Sequence, residues 1–243
     1  MNAQPGHFYL IGVGPGAPDL VTLRAARLID ACQVLVAPRS EKSEESLALA
    51  VVRDRLVAQQ VIEHVYPMER DPARTAACWA ALADRLAEDC AAGRAVAHLT
   101  IGDPLIYSTA VYLMAQMAER IPAERLHVVP GISAFQAAAA ITVQPLTIQE
   151  DRLMLMPATS LDEVALALER CETLVLYKIG ARLPALIDLL SRRGVLNQAR
   201  LVCHVEQGER EVVLSDLRQL ADTRIGYMAT VIVRAGHRRW EPR

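Results

Sequence analysis

Three times before Phe135 a short apolar run breaks into a turn of small residues and then into a helix-forming stretch, and few folds tolerate that punctuation. Phe8-Tyr9-Leu10-Ile11-Gly12-Val13 runs into Gly14-Pro15-Gly16, Arg94-Ala95-Val96-Ala97-His98-Leu99 into Thr100-Ile101-Gly102-Asp103-Pro104, and Arg125-Leu126-His127-Val128-Val129 into Pro130-Gly131-Ile132-Ser133-Ala134. Continuous apolar runs of this length, alternating with helical patterns, are what parallel strands buried on both faces require. In an open α/β sheet the carboxyl ends of such strands meet helix N-termini, and that edge is where ligands bind. Any one of these turns is ordinary, since a Gly-Asp-Pro tripeptide also occurs in loops that bind nothing. Together they shape a concave surface along one sheet edge. The stretch from Thr100 to Thr109 is the clearest: Gly102 permits close backbone approach, Pro104 stiffens the exit, Asp103 sets an acceptor at the rim, and Ser108 or Thr109 can cap the helix that starts at Ala110.

The first glycine loop invites a dinucleotide-binding reading, and the residues around it argue against one. Pro15 and Pro18 remove N–H donors that a pyrophosphate would need, and the second strand, Val34-Leu35-Val36, ends in Ala37-Pro38-Arg39 with no acid for a ribose. At 243 residues the chain suits two small domains with a cleft between them. Its formal charge of -2, with 22% charged residues, gives no general attraction to nucleic acid or to an anionic membrane. No run reaches membrane-spanning length and no charged-then-apolar leader is visible, so a cytoplasmic protein is expected. The five cysteines, Cys32, Cys78, Cys90, Cys171 and Cys203, are scattered without metal-ligand spacing and read as reduced, mostly buried thiols; the histidines are isolated, and His98 on an apolar strand reads as a satisfied core residue. No metal site is expected.

Between the three turns the spacing predicts a helix from Thr22 to Cys32, a helix opened by Ser46 and running to Leu56, a strand from Val61 to Met68, and a helix from Ala73 to Ala92 capped by Asp71. Trp79 lies on the apolar stripe of that last helix and reads as packing. Beyond Pro145 the pattern restarts, with strands around Leu153–Met156, Thr173–Lys178 and Arg200–Val205, helices from Leu161 to Arg170 and from Leu183 to Arg193, and short closing strands at Glu211–Leu214 and Met228–Val233 with antiparallel neighbours. Trp240 in the polar tail could pack on a partner subunit or lie on the surface.

Gly12-Val13-Gly14-Pro15-Gly16, then Gly102-Asp103-Pro104 with Tyr107-Ser108, then Pro130-Gly131-Ile132-Ser133 and a final hydrophobic strand resemble, in order and over essentially the whole chain, the tetrapyrrole methylase family. Within it, Thr100 to Thr109 and Leu155-Met156-Pro157-Ala158-Thr159 are similar to the group acting at C-20 of precorrin-2 or cobalt-factor II in cobalamin biosynthesis. The resemblance implies a two-lobed α/β protein, residues 1–130 and 131–243, with a mostly parallel N-terminal sheet and a mixed C-terminal sheet. It also implies S-adenosylmethionine held in the cleft, a tetrapyrrole substrate and a homodimer. Carried over by motif, the cofactor contacts are Ile101, Gly102, Asp103, Ile106, Ser133 and Ala134, and from the second lobe Tyr177, Lys178, Gln207, Gly208, Ala229 and Thr230. The loop Gly14, Pro15 and Gly16 belongs to the tetrapyrrole side. Arg39, Lys42, Arg70 and Arg74, at expected strand ends, are candidate partners for the substrate's carboxylates, with Lys178 a further possibility.

Methyl transfer from a sulfonium to an electron-rich carbon is an in-line displacement that needs alignment and exclusion of water, not a nucleophilic side chain. Asp103 reads as an acceptor for the cofactor rather than a base, and no catalytic base is assigned. Ile101 stands where wider-family members often carry serine or glycine, and Ala37-Pro38-Arg39 replaces an acid that some relatives place after strand two. Two other classes stay open: the same scaffold acting on another tetrapyrrole position, a protein or an RNA, and a regulator that binds S-adenosylmethionine or a nucleotide without catalysis.

Overall fold

A computed structural model describes residues 1–41, 43–66, 72–219 and 228–236. The chain forms two compact units, Met1–Ser133 and the remainder from Ala134, each built on a five-stranded sheet. Lys42, Arg70, Asp71 and Trp240 lie outside the described residues.

The first unit alternates strand and helix: β1 (Phe8–Gly12), α1 (Leu23–Ala31), β2 (Val34–Ser40), α2 (Leu47–Val51), β3 (Gln60–Tyr66), α3 (Pro72–Ala91), β4 (Val96–Thr100), α4 (Ala110–Ala118) and β5 (Leu126–Val129). Its strands are all parallel, in the order β3-β2-β4-β1-β5. The adjacent strands β1 and β4 are buried along their whole length, as expected of strands covered on both faces. Side chains alternate across the sheet: Phe8 and Leu10 pack with Trp79, Leu82 and Leu86 of α3 and Leu113 and Met117 of α4. Tyr9 and Ile11 face the other way, onto Leu28 and Ile29 of α1 and Ala48 and Val51 of α2. Thr22 and Ser46 cap α1 and α2, their hydroxyls accepting from the N–H groups of Ala25 and Leu49 at 3.2 and 3.3 Å.

Two elements differ from the sequence reading. Helix α2 stops at Val51, not Leu56: Arg53–Arg55 tighten into a 3₁₀ turn, although Val52 and Leu56 still pack on the same core as the helix. Strand β2 does not end at Ala37 but continues through Pro38 to Ser40. It pairs with β4 only over Val34–Val36, so beyond that point it is effectively an edge and the N–H that proline lacks is not needed by a second neighbour.

The second unit comprises α5 (Ala134–Ile141), β6 (Leu153–Pro157), α6 (Leu161–Leu168), β7 (Thr173–Tyr177), α7 (Leu183–Arg192), β8 (Ala199–Cys203), β9 (Val212–Leu214) and β10 (Ala229–Arg234). Its sheet, ordered β6-β7-β10-β8-β9, is mixed: β6 and β7 are parallel, whereas β10 runs antiparallel between β7 and β8, and β9 antiparallel to β8. Leu174, Leu176, Val231 and Val233 face α6 and α7, while Val175, Val202 and Ile232 receive Ala137, Ala138 and Ala139 of α5. Helix α5 thus covers one face of this sheet although it precedes Pro145. The long connection after it is tied down by Arg234, which donates to the Pro145 carbonyl at 2.7 Å and to Asp151 Oδ2 at 3.1 Å. A parallel N-terminal sheet joined in sequence to a mixed C-terminal one is the architecture the sequence led us to expect. Among the described residues, no helix is long and apolar enough to cross a membrane.

Candidate functional site

The three turns that stand out in the sequence meet at the carboxyl edge of the first sheet. The Val13 N–H donates to the Thr100 carbonyl at 2.9 Å and the Gly102 N–H to the Gly14 carbonyl at 2.7 Å, so the first glycine loop is stitched to the Gly-Asp-Pro turn. Backbones touch so closely here that only glycine fits. A Cβ on Gly131 would stand 2.2 Å from the Gly102 carbonyl oxygen, and one on Gly12 would stand 2.5 Å from the same atom. Asp103 completes the junction: Oδ1 accepts from the Leu105 N–H at 2.8 Å, and Oδ2 accepts from the Gly131 N–H at 3.1 Å. Behind the turn, Ser108 rather than Thr109 serves α4, its Oγ accepting from the Ala110 N–H at 3.1 Å and bonding Thr100 Oγ1 at 3.0 Å. Tyr107, between them, holds a left-handed backbone at φ 51°.

Of the expected cofactor contacts in this unit, Gly102 and Ser133 are buried, and Ile101, Asp103 and Ile106 are half-buried. Gly102 has φ 71°, and where its Cβ would stand the nearest atom is Ser133 Cα, 3.9 Å away. A Cβ there would sit in ordinary van der Waals contact with Ser133, so the left-handed backbone rather than lack of room is what calls for glycine at the turn.

In the second unit the expected contacts fall on the turns after β7 and β8 and on β10. Tyr177 ends β7, and its hydroxyl accepts from the Phe135 N–H at 3.0 Å, serving a first-turn donor of α5 next to Ala134. Lys178, His204 and Glu206 all hold left-handed backbone, with φ 56°, 49° and 60°, in the same loops. Such residues cost of order 1–3 kcal/mol and cluster where a surrounding site imposes them. His204 Nδ1 bonds Gln207 Oε1 at 3.2 Å, which orients the carboxamide and leaves Gln207 Nε2 buried with no protein partner. An acceptor oxygen or nitrogen on a ligand would satisfy it. Gly208 is exposed, and Ala229 and Thr230 are buried in β10, opposite Cys203 and Val202 of β8.

Among the expected substrate contacts, Gly14 and Pro15 are buried and Gly16 half-buried, in the loop locked to Gly102. Arg39 is the penultimate residue of β2, at its carboxyl end; its guanidinium pairs with Glu63 of β3 at 3.4 Å and donates to the Ser43 carbonyl. Arg74 is exposed on the first turn of α3.

A buried polar link in the first unit escaped the sequence reading. Tyr66 OH and His98 Nε2 lie 3.1 Å apart, spanning from β3 to β4 over β2, and Trp79 stacks on Tyr66 with ring centroids 3.9 Å apart. Trp79 is 4% exposed and is a packing residue, as its stripe position implied. His98 is buried, but not fully satisfied: its Nδ1 has no partner, and burial, with His64 a lesser cause, pulls its pKa down to about 3. Burial also holds the Tyr66 phenol above its ordinary range. A tyrosine two strands away pairing with a core histidine has no local sequence signal. All five cysteines are free thiols, four of them buried, and the described residues hold no cluster suited to a metal ion.

A parallel α/β unit whose strand ends fuse into a glycine-lined edge, followed by a mixed-sheet unit with strained turns, defines a class. The chain belongs to the tetrapyrrole (corrin/porphyrin) methylases, whose family model matches residues 7–221. Among its relatives, a cobalt-precorrin-2 C(20)-methyltransferase of Salmonella typhimurium is 35% identical over 97% of this chain and 98% of its own length. A precorrin-2 C(20)-methyltransferase of Sinorhizobium sp is 30% identical over 94% and 95%. A solved cobalt-precorrin-4 methyltransferase shares the fold with a TM-score of 0.72 at 18% identity, covering 94% of each chain. So does a uroporphyrin-III C-methyltransferase of Thermus thermophilus, solved in complex with S-adenosylhomocysteine, with a TM-score of 0.62 at 21% identity over 95% of this chain and 97% of its own.

Proposed function

We propose that this chain transfers the methyl group of S-adenosylmethionine to C-20 of precorrin-2 or of its cobalt-bearing form. The observation that carries the choice of position is the full-length similarity to C(20)-methyltransferases, at 35% identity in the Salmonella relative. Relatives named for the cobalt-bearing and for the metal-free substrate both match over more than nine-tenths of the chain, so the reading covers both rings.

S-adenosylmethionine, when bound, supplies an electrophilic methyl group on sulfur. One feature of the residues present suits such a ligand: the buried unpartnered N–H2 group on Gln207 matches a molecule that carries a carboxylate, ribose oxygens and a purine. In the first unit we assign its contacts to Ile101, Gly102, Asp103, Ile106 and Ser133, and in the second to Ala134, Tyr177, Lys178, Gln207, Gly208, Ala229 and Thr230. The task of these residues is to hold donor and acceptor in line and to keep water out. Besides contacting the cofactor, Asp103 organises the turns, since each of its oxygens accepts one backbone N–H and keeps a further acceptor site. The substrate side is assigned to Gly14, Pro15 and Gly16, with Arg74 and Arg39 as carboxylate partners; Arg39 would have to exchange Glu63 for a substrate carboxylate. A cytoplasmic homodimer belongs to the same reading.

The test is anaerobic incubation of the purified chain with ¹³C-methyl-labelled S-adenosylmethionine and either precorrin-2 or its cobalt complex, followed by carbon NMR of the product. A single labelled methyl at C-20 is expected with at least one substrate. Labelling of another ring position, or of neither substrate, would overturn the assignment. Binding of S-adenosylhomocysteine without turnover on any tetrapyrrole would favour a regulator instead.

A further inference from the structure

At the opposite end of the first sheet from the glycine turns, two histidines meet. His7 immediately precedes β1, and His127 lies in β5 in register with Tyr9. Alternation along β1 puts His7 and Tyr9 on one face, and His127 stands beside them across the ladder. His7 Nδ1 and His127 Nε2 are 2.8 Å apart, the ring planes differ by 4°, and the centroids are 5.1 Å apart. That centroid separation equals the N···N distance plus the two ring radii, so the imidazoles meet head-on in one plane, with room for one hydrogen between them. The Tyr9 ring lies alongside His127 at 5.0 Å.

We infer that His7 and His127 form an acid-released clasp between the amino ends of β1 and β5, closed while one proton bridges the rings and opened once both imidazoles are cationic. In the neutral pair one ring donates to the other, and one outer nitrogen remains bare. A first added proton goes to that outer nitrogen and leaves the bridge intact as a charge-assisted bond. A second has only the contact nitrogen left. It puts two N–H groups nose to nose on two cations, and the contact must open. Burial, with His7 as the second cause, holds the His127 pKa below the ordinary imidazole value, in keeping with a delayed second step. Tyr9 stacks beside both rings, Cys32 at the end of α1 and Cys90 in α3 lie close enough to Tyr9 to act on its phenol, and the Arg125 guanidinium, just before β5, lies near Gly6, the residue preceding His7. Burial raises the phenol and both thiols, the thiols to about 12 and about 11, so in acid they stay neutral.

The clasp matters because β5 is an edge strand of four residues with β1 as its neighbour in the sheet. Its carboxyl end is held by Asp103 and by the contact of Gly131 with Gly12; its amino end is held by the histidines. Acid would therefore loosen one end of the strand that presents Gly131 and Ser133.

Two measurements test this on the intact chain. Imidazole ¹⁵N NMR, followed from about pH 8 to about pH 4.5, should show two separated protonation steps shared by His7 and His127, with the coupling across the bridge lost in the second. A double-mutant cycle of His7→Ala, His127→Ala and the pair should give a coupling of about fivefold in the unfolding constant near pH 7.5 that vanishes near pH 4.5. Independent one-step titrations, or a coupling that is zero at the higher pH or equal at both, would overturn the inference. Should either variant fail to fold, the NMR titration of the unaltered protein decides it alone.

Discussion

Asp103 Oδ2 accepts a hydrogen bond from the backbone N–H of Gly131 at 3.1 Å, so one carboxylate joins the turn after β4 to the turn after β5. Its other oxygen closes its own turn through the Leu105 N–H at 2.8 Å. Hydrogen bonds to a charged group are worth about 1.5–3 kcal/mol each. Asp103→Ala should therefore weaken S-adenosylhomocysteine binding by roughly 10- to 100-fold and lower the melting temperature. Asp103→Asn, which keeps one acceptor but turns an N–H2 group toward an N–H donor, should fall between. Calorimetric titration and thermal unfolding of the two variants check this; an Asp103→Ala protein that binds like the wild type would remove the proposed organising role.

The glycines at this junction separate two reasons for being glycine. Gly12 and Gly131 have no space for a Cβ, which would lie 2.5 and 2.2 Å from the Gly102 carbonyl oxygen. Because the obstacle is backbone, Gly12→Ala and Gly131→Ala should each cost at least about 3 kcal/mol, the upper end for overpacking, or prevent folding. Gly93 after α3 has open space around it but φ 80°, so Gly93→Ala should cost only about 1–2 kcal/mol, the penalty of a left-handed alanine. Urea unfolding ranks the three, and a Gly131→Ala protein no less stable than Gly93→Ala would contradict the packing seen here.

What the sequence made legible was what local chemistry determines. β-branched and apolar runs between glycine turns specify buried parallel strands, and Thr22 and Ser46 advertise the helix starts they cap. What it hid depended on residues distant in the chain. The acidity of Asp103 signalled a ligand acceptor, whereas the fold engages it first with Gly131, 28 positions on. His98 read as a satisfied core residue, but its partner, Tyr66, sits on a strand that is not its neighbour, and its Nδ1 is left without one, neither of which a local sequence pattern shows. Pro38 read as a strand end because proline cannot serve a ladder on both sides, and whether β2 has two neighbours at that height is a fact of topology.

In the second unit, Arg234 and Asp151 form an ion pair at 3.1 Å with side chains only 8% and 2% exposed. Asp151 Oδ2 also accepts from the Ile148 N–H at 3.0 Å, and Arg234 from β10 reaches the Pro145 carbonyl, so the pair anchors the connection between α5 and β6. Removing one member strands the other as a buried charge, which typically costs 3–5 kcal/mol. Arg234→Met should show about that loss. The double variant Arg234→Met, Asp151→Leu should be less destabilised than the sum of its single variants, because no lone charge remains. Additive losses in denaturant titrations would mean that the two side chains act separately.

His98 gives the stability of the first unit a definite pH dependence. It is 1% exposed and stays neutral when folded, its pKa pulled down to about 3 by burial, while in the unfolded chain it titrates at the ordinary imidazole value. Below that value the unfolded chain takes up a proton that the folded one refuses. Stability is therefore unaffected by His98 at neutral pH and falls progressively as pH drops through about 6.5 toward 3. The lowered values of His64 and His127 act in the same direction, so the test must subtract them. Replacing both partners, His98→Leu with Tyr66→Phe, removes the buried polar link without leaving half of it unpaired. Urea midpoints measured at about pH 7 and about pH 5 should then fall less on acidification in the double variant than in the wild type, by up to about 2 kcal/mol for the 1.5 pH units between 6.5 and 5. Equal losses would show that His98 accepts its proton without unfolding, through rearrangement around its unpartnered Nδ1.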